Sequence, residues 1–169
     1  VIHDLLALLH YGNTLNEPVD INQLVSNVVN QLKRDASVHD YQLIRKLTQG
    51  LPKVNANILQ LEMILANLLR NAIEAMEGDG QTSSRIQITV RTANCNTCAH
   101  VSVQDNGPGI PEEKQQSIFD AFFSTKSHGL GMGLAISRSL IELQGGKLWY
   151  ESNVDGPGAT LHLTIPFVS

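Results

Sequence analysis

Asn67 and Asn71 sit four residues apart in a stretch with helical periodicity, so both amides lie on one side of that helix, one turn apart. The apolar stripe there is Leu61, Leu65, Leu68, Ala72 and Met76, and the asparagines fall at its edge. A neutral amide oxygen in such a place can bind Mg²⁺ without adding charge, and the ion can then bridge phosphates. Downstream, Asp105 closes an alternating strand pattern and opens the run Asp105-Asn106-Gly107-Pro108-Gly109-Ile110. A carboxylate there can accept a hydrogen bond from the exocyclic amine of adenine, where guanine presents a carbonyl. Gly107 and Gly109 let backbone approach a flat base and tolerate positive φ, and Ile110 offers an apolar wall. Farther on, Phe119, Phe122 and Phe123 can anchor a flap, and Lys126 can reach a phosphate as a point charge. Gly129, Leu130, Gly131 and Gly133 lead into a helix whose first amides suit a phosphate. Gly156 and Gly158 form a turn, and Thr160 alternates with Leu161, so it can point toward the ligand side.

Each piece has an ordinary alternative: solvated asparagines, a turn between strands, a helix end with a solvated lysine, a tight hairpin. Their order along one chain is what points to a nucleotide with Mg²⁺. Several other phosphate-binding patterns are absent. The spacing Gly-x-Gly-x-Gly is not a dinucleotide fingerprint, and no strand leads directly into it. There is no Gly-x-x-x-x-Gly-Lys loop and no eukaryotic-type kinase signature.

The elements that must position these residues are legible as patterns. Residues 1–12 read as a helix tail closed by Gly12, and residues 16–19 as a linker or short edge strand. Asp20, with Gln23 as capping-box partner, starts a helix whose apolar face is Ile21, Leu24, Val25, Val28, Val29 and Leu32. Asn57 and Gln60 repeat that signal for the helix carrying Asn67 and Asn71, which is expected to run to about Met76. Residues 41–47 and 53–56 are strand-like. Ile86, Ile88 and Val90, then Ala99, Val101 and Val103, alternate as two strands of a hairpin around residues 94–98. A short helix is expected over residues 111–121 and a longer one over 134–143, closed by Gly145 and Gly146. Strands from Leu148 and from Ala159 to Ile165 end the chain. Three long helices and about five strands predict an α+β two-layer sandwich, its mixed sheet covered on one face by the three helices.

Composition narrows the function. The chain has 169 residues, 42% of them hydrophobic, which suits one domain with a real core. A net charge of −4 supplies no field for a nucleic acid backbone, and 5% aromatic residues leave few stacking platforms for single strands. No apolar run approaches the roughly 20 residues of a membrane span. Neither nucleic acid nor direct membrane contact is therefore expected. Cys95 and Cys98, with His100 nearby, form half a zinc site at most, and no second pair completes it. The pair reads as part of a hairpin loop.

Together these motifs resemble the catalytic and ATP-binding domain of bacterial sensor histidine kinases, within the gyrase–Hsp90–histidine kinase–MutL superfamily, over residues 18–167. Asn67 and Asn71 match its asparagine box, and Asp105, Gly107 and Gly109 its first glycine box. Phe119, Phe122 and Phe123 match the phenylalanine box, Gly129, Gly131 and Gly133 the second glycine box, and Gly156, Gly158 and Thr160 the third. The resemblance implies the Bergerat fold, ATP and Mg²⁺ as cofactors, Asn71 as the metal ligand and Asp105 as the adenine reader. It implies transfer of the γ-phosphoryl group to a histidine in a dimerisation domain, and relay to a response regulator in the cytoplasm, from a parent that can be anchored in the inner membrane. The ATPase members of the superfamily are expected to carry a glutamate where Asn67 stands. A poor base there argues against the alternatives of a clamp-type ATPase, and leaves Asn67 and Lys126 to position and neutralise charge. A non-catalytic nucleotide-binding interaction module is the other alternative. Residues 1–15 are then expected to be the tail of the dimerisation hairpin and a linker, with the catalytic domain in residues 16–169. His3 is a poor acceptor candidate, because too few residues separate it from Asn71.

Overall fold

The computed structural model describes residues 15–34, 41–78, 87–121, 123 and 133–169. The expected helix tail at residues 1–12 lies outside them, as does Ile86. Strand β1 (Glu17–Val19) confirms the short edge strand. It pairs antiparallel with β3 (Val54–Ala56) in a small separate sheet. Helix α1 (Ile21–Arg34) starts where Asp20 Oδ1 accepts the Gln23 N–H at 3.1 Å. The Gln23 side chain does not close a capping box in the expected way, since its Nε2 donates to Asn27 Oδ1 at 2.9 Å.

Helix α2 (Ile58–Gly78) is the centre of the helical layer. Asn57 caps it, accepting the Gln60 N–H at 3.1 Å. The N–H of Asn57 itself is taken by Gln144 Oε1 at 2.8 Å, and Gln144 Nε2 reaches Gln60 Oε1 at 3.3 Å. The capping box is thus closed by a third residue, which ties the start of α2 to the end of the last helix. The buried face is wider than the expected stripe, because Ile64, Leu69 and Ile73 are buried with Leu61, Leu65, Leu68, Ala72 and Met76. A helix packed against both the sheet and its neighbours buries more than one stripe.

The main sheet has the order β2-β4-β5-β7-β6, with β2 (Gln42–Leu47), β4 (Gln87–Asn94), β5 (Cys98–Asp105), β6 (Lys147–Ser152) and β7 (Ala159–Pro166). Only β2 and β4 run parallel, so the sheet is mixed as expected. Alternation sends Ile88, Val90, Ala99, Val101, Val103, Leu148, Leu163 and Ile165 into one core with α1, α2 and α4 (Gly133–Leu143). The α+β sandwich is therefore present. Cys95 and Cys98 bridge the β4–β5 turn, with Cα atoms 5.1 Å apart. The helix expected over residues 111–121 is reduced to one turn, α3 (Glu112–Gln115), followed by tight turns from Ser117 to Lys114, Asp120 to Ser117 and Phe123 to Asp120. Its N-cap is Pro111, which makes no side-chain cap bond, and no residue of the turn is buried. Neither capping nor packing holds a longer helix there. At the far end of α4, Gly145 takes φ 78° and the Gly146 N–H bonds Ile141 O at 2.9 Å, a Schellman closure at the expected glycines.

The face of the sheet opposite the helices carries a ring cluster. His100 and His162 stack with Trp149 at centroid distances of 5.1 to 5.6 Å, and His100 Nε2 lies 2.9 Å from His162 Nδ1. Burial pushes the pKa of both imidazoles down. His162 pushes that of His100 further, and Glu151 opposes the shift at each. The unfolded chain takes up these protons near the ordinary value of 6.5, while the folded chain resists them, so stability is lost as pH falls through that value. Denaturation midpoints should fall between about pH 7.5 and 5.5, and a His100→Gln/His162→Gln double variant should flatten that slope. An unchanged slope would show that other groups set it.

Candidate functional site

The site lies where the C-terminal end of β5 meets the N-terminal end of β7, below α2 and beside the start of α4. Asp105 is the last residue of β5 and is buried. Its Oδ1 accepts two backbone N–H groups, from Gly107 at 2.9 Å and from Ala159 at 3.2 Å. Among the described residues no bond reaches Oδ2, which leaves that oxygen for a ligand. Burial pushes this carboxyl above the ordinary aspartate value, and the two N–H groups pull it part of the way back.

Close backbone approach explains the glycines. A Cβ on Gly107 would lie 3.0 Å from Met76 Cγ. Gly158, at φ 117°, passes so near β5 that a Cβ would fall 2.2 Å from Asp105 O. Gly109 is beside it, its missing Cβ 3.2 Å from Gly158 O. Ile110 is half-buried, and its carbonyl accepts Gln115 Nε2 at 2.9 Å. These parts form one cleft at the strand ends, with the carboxylate at its floor.

On α2, Asn67 and Asn71 are both half-buried, and Arg70 between them is exposed. Asn71's amide has no hydrogen-bond partner among the described residues, so its oxygen is available to a cation. Asn67 is not free in this way. Its Nδ2 donates to Ser137 Oγ on α4 at 3.2 Å, and a Cβ on Gly133 would lie 2.8 Å from its Oδ1. The first turn of α4 therefore rests directly on the asparagine helix. Phe119 packs against the core, with the Arg138 guanidinium 5.0 Å above its ring. Lys126, Gly129, Leu130, Gly131 and Phe122 lie outside the described residues.

Thr160 does not share a face with Asp105. It pairs with Gln104 across β5 and β7, so its side chain is on the opposite side of the sheet from that of Asp105. Its hydroxyl donates to Asn153 Oδ1 at 2.7 Å. The expectation that it points toward the ligand by alternating with Leu161 overlooked that Leu161 and Asp105 are on the same, helix-facing side.

The family model of histidine kinase-, DNA gyrase B- and HSP90-like ATPases matches residues 56–169, which hold every described part of this cleft. The chain belongs to that family. It is 40% identical over 131 residues, 78% of its length, to sensor protein FixL of Bradyrhizobium diazoefficiens. The solved catalytic domain of histidine kinase ThkA superposes with a TM-score of 0.78 at 30% identity, covering 90% of this chain and 96% of that one. ThkA in complex with response regulator protein TrrA superposes at 0.76, with 28% identity over 97% of this chain and 46% of that one. Full-length ShkA in complex with AMPPNP superposes at 0.79, with 25% identity over 99% of this chain and 35% of that one. The chain spans a quarter or less of the length of the first curated relatives it matches. No helix among the described residues is long and apolar enough to cross a membrane.

Within this histidine kinase-type ATPase fold, sequence reading missed Ser137 and Asn153. Ser137 was findable: it falls between Leu134 and Ile141 at helical spacing, a polar residue on an apolar stripe, and it is buried. Asn153 left no such signal, because an asparagine before a glycine–proline turn reads as an ordinary turn residue.

Two outcomes are expected from the site. Because Asp105's carboxyl is raised in the folded state, stability is lost as pH rises through that raised value, and the ionised form costs stability at neutral pH. Asp105→Asn should raise Tm at neutral pH while weakening adenine nucleotides by about tenfold or more. A lower Tm would contradict the charge argument. Gly133→Ala should push α4 off Asn67 and weaken ATP by roughly tenfold, with a smaller effect on Tm. Unchanged affinity by calorimetry would show that the Asn67–Ser137 contact does not support the nucleotide.

Proposed function

We propose that the chain is the ATP-binding catalytic domain of a sensor histidine kinase, working in the cytoplasm. It transfers the γ-phosphoryl group of ATP to a histidine in the dimerisation helices of the same protein, for relay to a response-regulator receiver domain. The observation that carries this reading is the buried Asp105 carboxylate on the floor of the cleft, with one oxygen held by two backbone N–H groups and the other left over, close to the helix that carries Asn71. The family match, and the AMPPNP and response-regulator complexes of the similar kinases, support it.

Oδ2 of Asp105 accepts the exocyclic amine of adenine, and the glycines admit the base edge-on to the backbone. Asn71 supplies a neutral oxygen that fits Mg²⁺, and when bound that ion offsets phosphate charge. Asn67 holds the start of α4, where the helix amides face the phosphate end. Lys126 adds a cation to the same end. The acceptor imidazole nitrogen forms a bond to the γ-phosphorus, the bond to the bridging oxygen breaks, ADP leaves, and the imidazole proton passes to solvent. No carboxylate stands one turn before Asn71 to activate water, and the amide in that place is engaged with Ser137, so hydrolysis stays slow.

Incubated with γ-labelled ATP, Mg²⁺ and the dimerisation helices of its own full-length protein, the chain should place an acid-labile, base-stable label on a helix histidine. Asn71→Ala should cut that labelling by more than about tenfold. Release of inorganic phosphate at one rate with or without the helices, and no label, would make the chain an ATPase instead.

A further inference from the structure

Asn153 follows β6 and belongs to none of the motifs, yet its side chain joins three parts of the cleft. Its Nδ2 donates to Asp105 O at 2.7 Å and to Pro157 O at 3.0 Å. Its Oδ1 accepts the Thr160 hydroxyl at 2.7 Å, and its backbone N–H reaches Gly158 O at 3.4 Å. One amide thereby ties the end of β5 to the glycine turn and to the first residues of β7. The backbone it grips is that which orients Asp105: Ala159, whose N–H holds Oδ1, sits between Gly158 and Thr160.

The chemistry of the amide is specific. A carboxylate in its place has no proton to give the two carbonyls, and a hydroxyl is too short to span them. Gly158 leaves no slack, since a Cβ there would also fall 2.6 Å from Asn153 Nδ2. Sliding β7 by even part of a residue would take the Ala159 N–H away from Oδ1 and let the carboxylate rotate. Near that contact only the Gly107 N–H would still hold it.

We propose that Asn153 is the positioning residue for adenine recognition. Acting through the Gly158–Ala159 backbone, it fixes the Asp105 carboxylate so that Oδ2 meets the exocyclic amine. Thr160 serves the same end by completing the amide's bonds. This rests on Asp105 reading adenine, as proposed above.

The test compares two probes that differ only at that amine, ATP and purine riboside triphosphate, binding to the full chain with Mg²⁺ by calorimetry. The unaltered protein should prefer ATP by on the order of tenfold to a hundredfold. Asn153→Ala should shrink that ratio to within about threefold of unity, while binding of purine riboside triphosphate stays within about threefold of the unaltered protein's. Asn153→Asp keeps the shape without the donors and should do the same, and it serves if Asn153→Ala fails to fold. Thr160→Val should shrink the ratio less. A full ratio retained in the Asn153 variants would overturn the inference, and so would equal weakening of both probes, which marks a merely structural role. No preference in the unaltered protein would instead overturn the reading of Asp105, and the inference with it.

Discussion

Two backbone N–H groups, from Gly107 and Ala159, converge on one oxygen of Asp105, and the arrangement of the sheet is what lets them meet. One follows Asp105 by two residues. The other comes from a strand 54 residues later in the chain. They can share an oxygen only if β7 lies directly beside β5, in register, with its first residues drawn against the end of that strand. The order β2-β4-β5-β7-β6 supplies the adjacency, and Gly158 supplies the approach. A buried carboxylate without such donors would favour its neutral form, and a neutral acid is a worse acceptor for an amine.

The proposed phosphate end depends on a different contact. Asn67 and Gly133 touch because α2 and α4 pack side by side on the same sheet face, and Gln144 locks the far ends of the same two helices. The helix that carries Asn71 is therefore tied to α4 at its start and again at Asn67. An amide at position 67 does what a glutamate could not do without cost. It bonds a buried serine while adding no charge to that half-buried place.

Much of this was legible in the sequence because it is periodic or forced by glycine. The 3.6-residue stripe of α2, the two-residue alternation of β4, β5 and β7, and the Schellman closure at Gly145 each follow from local geometry. Asp105 and its glycines could be placed at a strand end for the same reason. The remainder depends on contacts between distant residues. Asn153 meets Asp105 across 48 residues, and Gln144 caps α2 across 87. No spacing rule encodes such pairs. Thr160 shows how alternation misleads when its phase is taken from the wrong neighbour: the parity was right, but Asp105 lies on the face of Leu161, opposite to Thr160. The turn at α3 shows that weak periodicity without a cap or a buried face does not make a helix.

The most direct test of the account is to map where the nucleotide sits, using amide resonances of the labelled chain titrated with ATP and Mg²⁺. Shifts are expected at the Gly107, Gly109 and Ala159 amides and at the Asn71 side-chain amide, with the sheet face around Trp149 unmoved. Shifts confined to that open face, or absent from Gly107 and Ala159, would contradict it.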